Sequence, residues 1–261
     1  LPATATPRLS GPTALAWRLH RGVLLSWTIA FAVVGAVFGA LALSVGDIVD
    51  DSPQLAELMA GLGGAGAVVD AFLATEMSLL GMVASGYAVQ AALRPRTEEI
   101  EMRAEPILTT AVPRWRWLAG HLVWALGGAT VILTVAGLAA GLAHGTRVGD
   151  PAGQVLRITG AAMAQVPAVW VPAGVAVLLF GFVPRLTTLV WTVLAAFVLL
   201  GQLGRLLGID ERIQNLSPFA HLPRVPGGEV TFGPLAWLVV VAAALVLAGL
   251  AGFRRRDLTG G

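Results

Sequence analysis

The chain has 261 residues, of which 56% are hydrophobic and only 12% are charged, with a net charge of +2. A soluble domain is usually about a quarter charged. Here the apolar residues occur in long runs, and a helix needs about 20 such residues to cross ~30 Å of hydrocarbon. The composition therefore predicts an all-α, polytopic membrane protein and excludes an ordinary soluble domain.

Two residue types are missing from the sequence. The absence of cysteine excludes disulfides and thiolate metal sites. The absence of lysine excludes a phosphate-binding P-loop and Schiff-base chemistry, so any ATP hydrolysis has to occur on another chain. The basic residues are all arginines and flank apolar segments, so we expect no binding of nucleic acid.

The N-terminal region is predicted to have three parts. Residues 1–12 form a linker that begins without methionine, as expected of a processed or partial polypeptide. Residues 13–21 form a short amphipathic helix at the membrane interface, anchored by Trp17. The first span follows at 22–44, where the spacing of Gly35 and Gly39 permits close contact with another helix.

Two acidic residues lie in the second predicted span, residues 67–93, which follows a polar segment with a short surface helix. Asp70 is near the start of this span and Glu76 is deeper. An acid at that depth is costly unless it faces protein or water. Glu76 is therefore interpreted either as a functional group or as a carboxyl hydrogen-bonded to a neighbouring helix.

A polar segment, residues 94–117, separates the second and third spans and contains five arginines and four acids. The i,i+4 spacing of Glu99 and Arg103 predicts a short surface helix, which Pro106 then disrupts. Trp115 and Trp117, at the end of the segment, suit a membrane–water interface. The alternative is a solvated loop that only sets the topology.

Four more spans are predicted, at 118–143, 157–183, 186–204 and 231–253, which gives a six-span domain over residues 13–258. The fourth contains an intramembrane polar residue, Gln165, together with Pro167 and Pro172, which are expected to kink or open the helix. Residues 205–230 are rich in proline and are predicted to form an extracellular loop.

The arginines are distributed unequally between the two predicted sides of the membrane. Five lie on one side, at positions 147, 157, 205, 212 and 224, and twelve lie on the other. The positive-inside rule places both termini and residues 94–117 on the cytoplasmic side of the membrane. The twelve are Arg8, Arg18, Arg21, Arg94, Arg96, Arg103, Arg114, Arg116, Arg185, Arg254, Arg255 and Arg256.

Three patches of sequence carry a family resemblance: residues 87–121, residues 216–223 (LSPFAHLP) and residues 253–258 (FRRRDL). With six spans and a charged loop after the second, the chain resembles the membrane subunit of type-2 ATP-binding-cassette (ABC) exporters. More narrowly, it is similar to actinobacterial permeases for polyketide antibiotics, and matches their C-terminal half. The residues that match the pattern of the loop are Arg96, Glu98, Glu99, Arg103, Glu105, Arg114 and Trp117.

The resemblance implies a mechanism and a set of partners. Residues 94–117 would act as a coupling helix that docks on a separate, dimeric ATPase subunit, which would carry ATP and Mg. This chain would have no catalytic residue, cofactor or metal, and would pair with a second six-span half or a second copy. It would export hydrophobic or amphipathic, antibiotic-like compounds. The implied coupling residues are Arg94, Arg96, Glu98, Glu99, Arg103, Glu105, Pro106 and Arg114.

A secondary transporter driven by protons is the alternative function. It would use Asp70 and Glu76 as titrating carriers and would need neither a charged cytoplasmic helix nor an ATPase. An intramembrane enzyme is disfavoured, because the histidines have no partner at the spacing of a known catalytic or metal motif. These histidines are His20, His121, His144 and His221.

Overall fold

A computed structural model describes residues 12–50, 64–101, 113–204 and 206–255. These residues form helices and the turns between them, with no β-strand among them, so the predicted all-α class is confirmed. The nine α-helices of the described ranges are α1 Pro12–Asp50, α2 Gly64–Ala92, α3 Arg94–Ile100, α4 Arg114–Val148, α5 Pro151–Met163, α6 Val166–Phe182, α7 Leu189–Leu203, α8 Glu211–Gln214 and α9 Phe232–Arg255.

Five segments of the described chain are long and apolar enough to cross a membrane. They are Thr13–Asp47, Gly66–Ile100, Trp115–Val148, Pro151–Phe182 and Phe232–Arg255. They correspond to five of the six predicted spans. The predicted fifth span, 186–204, differs: its helix α7 has 15 residues, about 22 Å at 1.5 Å per residue. That is shorter than the ~30 Å hydrocarbon core.

The N-terminal region differs from the prediction of a separate interfacial helix. Residues 13–21 and the first span belong to one continuous helix of 39 residues, about 58 Å long. It exceeds the hydrocarbon thickness, so it extends beyond the apolar layer. It ends at Asp50, and the surface helix predicted after it lies outside the described residues.

The fourth span is interrupted, as its prolines predicted. Helix α5 ends at Met163 and α6 starts at Val166, with Ala164 and Gln165 in a turn between them. Pro167 has no N–H and cannot continue the hydrogen-bond ladder, which explains a break at this position. Pro172, in contrast, lies inside the uninterrupted helix α6.

Two pairs of parallel helices form the core of the bundle. Along α1 and α4, Gly35 lies against the backbone of Ala136, and one turn later Gly39 lies against Ala140. Helices α6 and α9 approach equally closely, with the backbone of Gly181 against that of Gly249. Without a side chain at these positions the backbones can come into direct contact, as in other membrane helix pairs.

The remaining core contacts involve α5 and α2. Helix α5 turns back antiparallel along α4, while α2 contacts α1, α4 and α6. The alternating helix directions separate the described arginines into two groups, at opposite ends of the bundle. The end that contains α3 has nine, Arg18, Arg21, Arg94, Arg96, Arg114, Arg116, Arg185, Arg254 and Arg255, and the other has Arg147, Arg157, Arg212 and Arg224.

Candidate functional site

Helix α3 forms the first part of the predicted coupling segment. It follows α2 after a single turn residue, Leu93, and contacts both α2 and α4. Two ion pairs within it join neighbouring turns. Arg94 Nε lies 3.3 Å from Glu98 Oε1, and Arg96 Nη1 lies 3.1 Å from Glu99 Oε2. The helix lies at the arginine-rich end and includes Glu98 and Glu99 of the predicted surface helix, whereas Arg103, the predicted partner of Glu99, lies outside the described residues.

The exposure of α3 differs between its faces. Glu98 is only 6% exposed. Its side chain therefore packs inside the bundle and is not available for contact with a partner protein. The outward face carries Thr97, Glu101 and Ile100, whose side chain is 63% exposed. Arg103, Glu105 and Pro106 lie outside the described residues, as does the side chain of Arg114, which begins α4.

Behind α3, a buried polar contact joins α1 to α4. His20 Nε2 lies 3.1 Å from His121 Nδ1, and the two side chains are 4% and 2% exposed. Neither histidine is near the other in sequence, and only the parallel packing of α1 on α4 brings them together. This contact was not predicted, because a single sequence carries no signal for it.

The three tryptophans predicted as interfacial anchors have different environments. Trp17 and Trp115 are 40% and 46% exposed, which suits an interface. Trp117 differs from them, since it is 3% exposed and its ring packs against those of His121 and Phe253. It contributes to the contact between α4 and α9 at this end of the bundle.

A polar cavity of about 780 Å³ lies at the opposite end, between α2, α7 and the segment that precedes α9. Asp70 is at its wall and forms an ion pair with Arg157 of α5. Gln165 also lines it: this side chain is 1% exposed, and its Oε1 has no hydrogen-bond partner in the described part of the chain. Further polar lining residues are Thr75, Ser78, Gln202, Glu211, Gln214, Asn215 and Arg224.

The segment between α7 and α9 contains the short helix predicted to begin at Asp210 and Glu211, and it is more regular than the irregular loop predicted for residues 217–228. It contains α8 and a short 3-10 helix, Pro218–His221. Ser217 Oγ donates a hydrogen bond to the carbonyl of Phe197, with 2.6 Å between the oxygens, and so ties this segment to α7. Phe219, in the 3-10 helix, is buried.

Glu76 lies apart from that polar cavity. It lines a second cavity, between α1 and α2, and its side chain is 8% exposed. Its Oε2 has no hydrogen-bond partner among the described residues. Of the three intramembrane polar candidates, Asp70 and Gln165 are therefore together at one site, while Glu76 is alone. No three His, Asp or Glu side chains of the described ranges converge as a metal site would require.

The sequence also matches a known family. Residues 9–254 match the family described as the multidrug efflux system permease Rv1217c, C-terminal domain. The chain belongs to this permease family. The predicted resemblance to ABC-type exporter permeases, and to their C-terminal half, is thereby confirmed.

One member of this permease family is a curated protein of Mycobacterium tuberculosis, the multidrug efflux system permease protein Rv1217c. It is 46% identical to the chain over 255 residues, which cover 98% of this chain and 46% of the relative. The chain therefore spans about half the length of this relative. The relationship covers both α3 and the polar cavity.

Proposed function

We propose that this chain is the transmembrane part of an ATP-driven exporter of hydrophobic or amphipathic, drug-like compounds. The relationship to a multidrug efflux system permease supports this proposal. The membrane would be the bacterial plasma membrane, with both termini in the cytoplasm. The partners would be a dimeric ABC-type ATPase, which carries ATP and Mg, and a second six-span half or a second copy. The chain itself would transport and not catalyse.

The observation that carries the coupling part of the proposal is the position of α3. A short helix that is braced by α2 and α4 and exposes an isoleucine can insert into a groove of a partner protein. Its neighbours Arg96 and Glu99 add charge to the rim of that surface. Motion received by α3 would pass through residues 102–113 to the start of α4.

The lining of the polar cavity supports the proposal that the exported compounds are amphipathic. It combines amide side chains, such as Gln165 and Asn215, with apolar ones, such as Phe219 and Leu222. A lining of both kinds can contact the polar part and the apolar part of one amphipathic compound. The cavity lies at the end opposite α3, so it would act on the exit side of the permease.

The proton-coupled alternative receives partial support. Glu76 is buried without a partner for Oε2, as a titrating carrier would be. Asp70, however, already forms an ion pair with Arg157, which reduces its suitability as a second carrier. Loss of transport in Glu76→Gln, together with transport that persists without the ATPase, would favour this alternative.

The proposed coupling is tested by recovery of the ATPase with this chain from host membranes. Ile100→Asp places a charge on the exposed face of α3, where docking would desolvate it at a cost of about 2 kcal/mol or more. We expect the recovered ATPase to fall at least about tenfold. The matched control is Ile213→Asp, the same change at an exposed isoleucine (48%) of the opposite end.

Two outcomes would contradict the proposal. One is that no nucleotide-binding subunit accompanies the wild-type chain. The other is that the Ile100→Asp and Ile213→Asp variants retain the ATPase equally. Gel filtration of each variant shows whether the chain is still folded. The first outcome is measured on the wild-type chain, so misfolding of a variant cannot affect it.

A further inference from the structure

The unpartnered carboxyl of Glu76 lies near the middle of α2, far from both ends of the bundle. A charged or polar group in the apolar interior of a membrane protein is costly unless it meets a partner. The described side chains around Glu76 provide none for Oε2. Because Glu76 also lines a cavity, a polar or charged group bound there could interact with this carboxyl.

The cavity in front of this carboxyl has the size and the walls of a ligand site. Its volume is about 640 Å³, within the range of roughly 300–1,000 Å³ that is typical of small-molecule sites. Except for Glu76 and Ser26, its lining residues are apolar. They include three aromatic rings, those of Trp27, Phe31 and Phe38.

The opening of the cavity determines from where a ligand arrives. Three of its lining residues, Val34, Leu79 and Val83, are 37%, 43% and 52% exposed on the flank of the bundle. They lie at the middle of the apolar segments of α1 and α2, where the hydrocarbon core would surround them. A compound that enters there has already partitioned into the apolar layer, so it has to be lipophilic.

We propose that this cavity binds lipophilic cations, that is, amphipathic compounds with an amine or onium group. The positive group meets the carboxylate of Glu76 and the aromatic faces beside it, which attract cations through their quadrupoles. The apolar body packs against Trp27, Phe31 and Phe38. An anion of the same size is repelled, and a neutral compound lacks the charge interaction.

This inference deepens the proposed function, because it names a class of compound that the permease receives, and its role in export rests on that function. The site is separate from the polar cavity, which Glu76 does not line. Binding itself requires neither the ATPase nor nucleotide. It can therefore be measured when both are absent.

The test is saturable binding of radiolabelled tetraphenylphosphonium to the chain in nanodiscs of zwitterionic lipid, with empty nanodiscs as background. We expect Glu76→Gln, which keeps the shape and removes the charge, to weaken binding at least about tenfold. Glu76→Asp, which keeps the charge, should stay within about threefold of wild type. The control Asp47→Asn removes an exposed carboxylate of α1 outside the cavity and should leave binding unchanged.

Competition on the wild-type chain provides a second measurement that needs no variant. Triphenylphosphine oxide has three of the same rings and no net charge, and we expect it to compete at least about tenfold less well than unlabelled tetraphenylphosphonium. The inference would be overturned if triphenylphosphine oxide competed as well as unlabelled tetraphenylphosphonium. It would also be overturned if a folded Glu76→Gln variant bound tetraphenylphosphonium with wild-type affinity. The cavity would then be an apolar groove occupied by lipid. Because the ATPase is absent, either result is independent of the coupling experiment.

Discussion

Arg157 of α5 forms an ion pair with Asp70 of α2, although 87 positions separate the two residues. The pair stands at the wall of the polar cavity, where Asp70 also lies close to Gly227 of the segment before α9. It thus connects the interrupted fourth span to the second span. Both charges belong to the end of the bundle that has fewer arginines.

A charge exchange tests this pair. Asp70→Arg or Arg157→Asp alone places like charges together, and each should lower the free energy of unfolding by about 1 kcal/mol. The loss is small because the two side chains are 22% and 39% exposed and water screens the pair. The double variant should recover part of the loss in thermal unfolding. Strictly additive losses would show that the pair does not interact.

The glycines of α1 provide the second prediction. A side chain at Gly39 would overlap the backbone of Ala140, so Gly39→Leu should separate α1 from α4 and lower the unfolding free energy by about 2 kcal/mol or more. The matched control is Gly22→Leu in the same helix, where an added Cβ meets nothing within 4 Å. Equal melting temperatures of the two variants would contradict the close contact.

A double-mutant cycle tests the buried histidine contact. His20→Leu leaves a buried ring nitrogen of His121 without its partner, which costs about 1–3 kcal/mol. His121→Leu has the reciprocal effect on His20. Because the double variant leaves neither nitrogen unpaired, it should be less destabilised than the sum of the single variants. Additive effects in denaturant unfolding would argue against a direct hydrogen bond.

The orientation in the membrane is tested by single cysteines, which is straightforward because the chain has none. In intact cells, a membrane-impermeant maleimide should label Ile213→Cys of α8. It should label Ile100→Cys of α3 only after permeabilisation. Both side chains are exposed, so accessibility depends on the side of the membrane. Labelling of Ile100→Cys in intact cells would reverse the predicted topology.

The positions of the spans were largely predictable from hydropathy. The second predicted span, 67–93, corresponds to Gly64–Ala92, and the sixth, 231–253, corresponds to Phe232–Arg255. Continuous apolar runs determine such helices locally, because their backbone groups have to be satisfied within the segment. The break before Pro167 was predictable for the same reason, since proline removes one of those groups.

The contacts between distant residues were not predictable. Asp70 and Arg157 meet only because α5 turns back along α4, and Glu98 is buried only because α3 folds against α2 and α4. The sequence shows which residues are charged but not which helix covers them. Likewise, the arginines near Trp17 indicate a membrane interface. They do not show that residues 13–21 and the first span form one continuous helix.

The parallel pairing of the helices has a mechanical consequence. Because the backbones of α1 and α4 are in direct contact at Gly35 and Gly39, a displacement of one helix away from the other would break both contacts. Helices α6 and α9 form a second closely packed pair, in contact at Gly181 and Gly249. The buried turn at Ala164 and Gln165 joins α5, which packs on the first pair, to α6 of the second pair, and so forms the covalent connection between the two pairs.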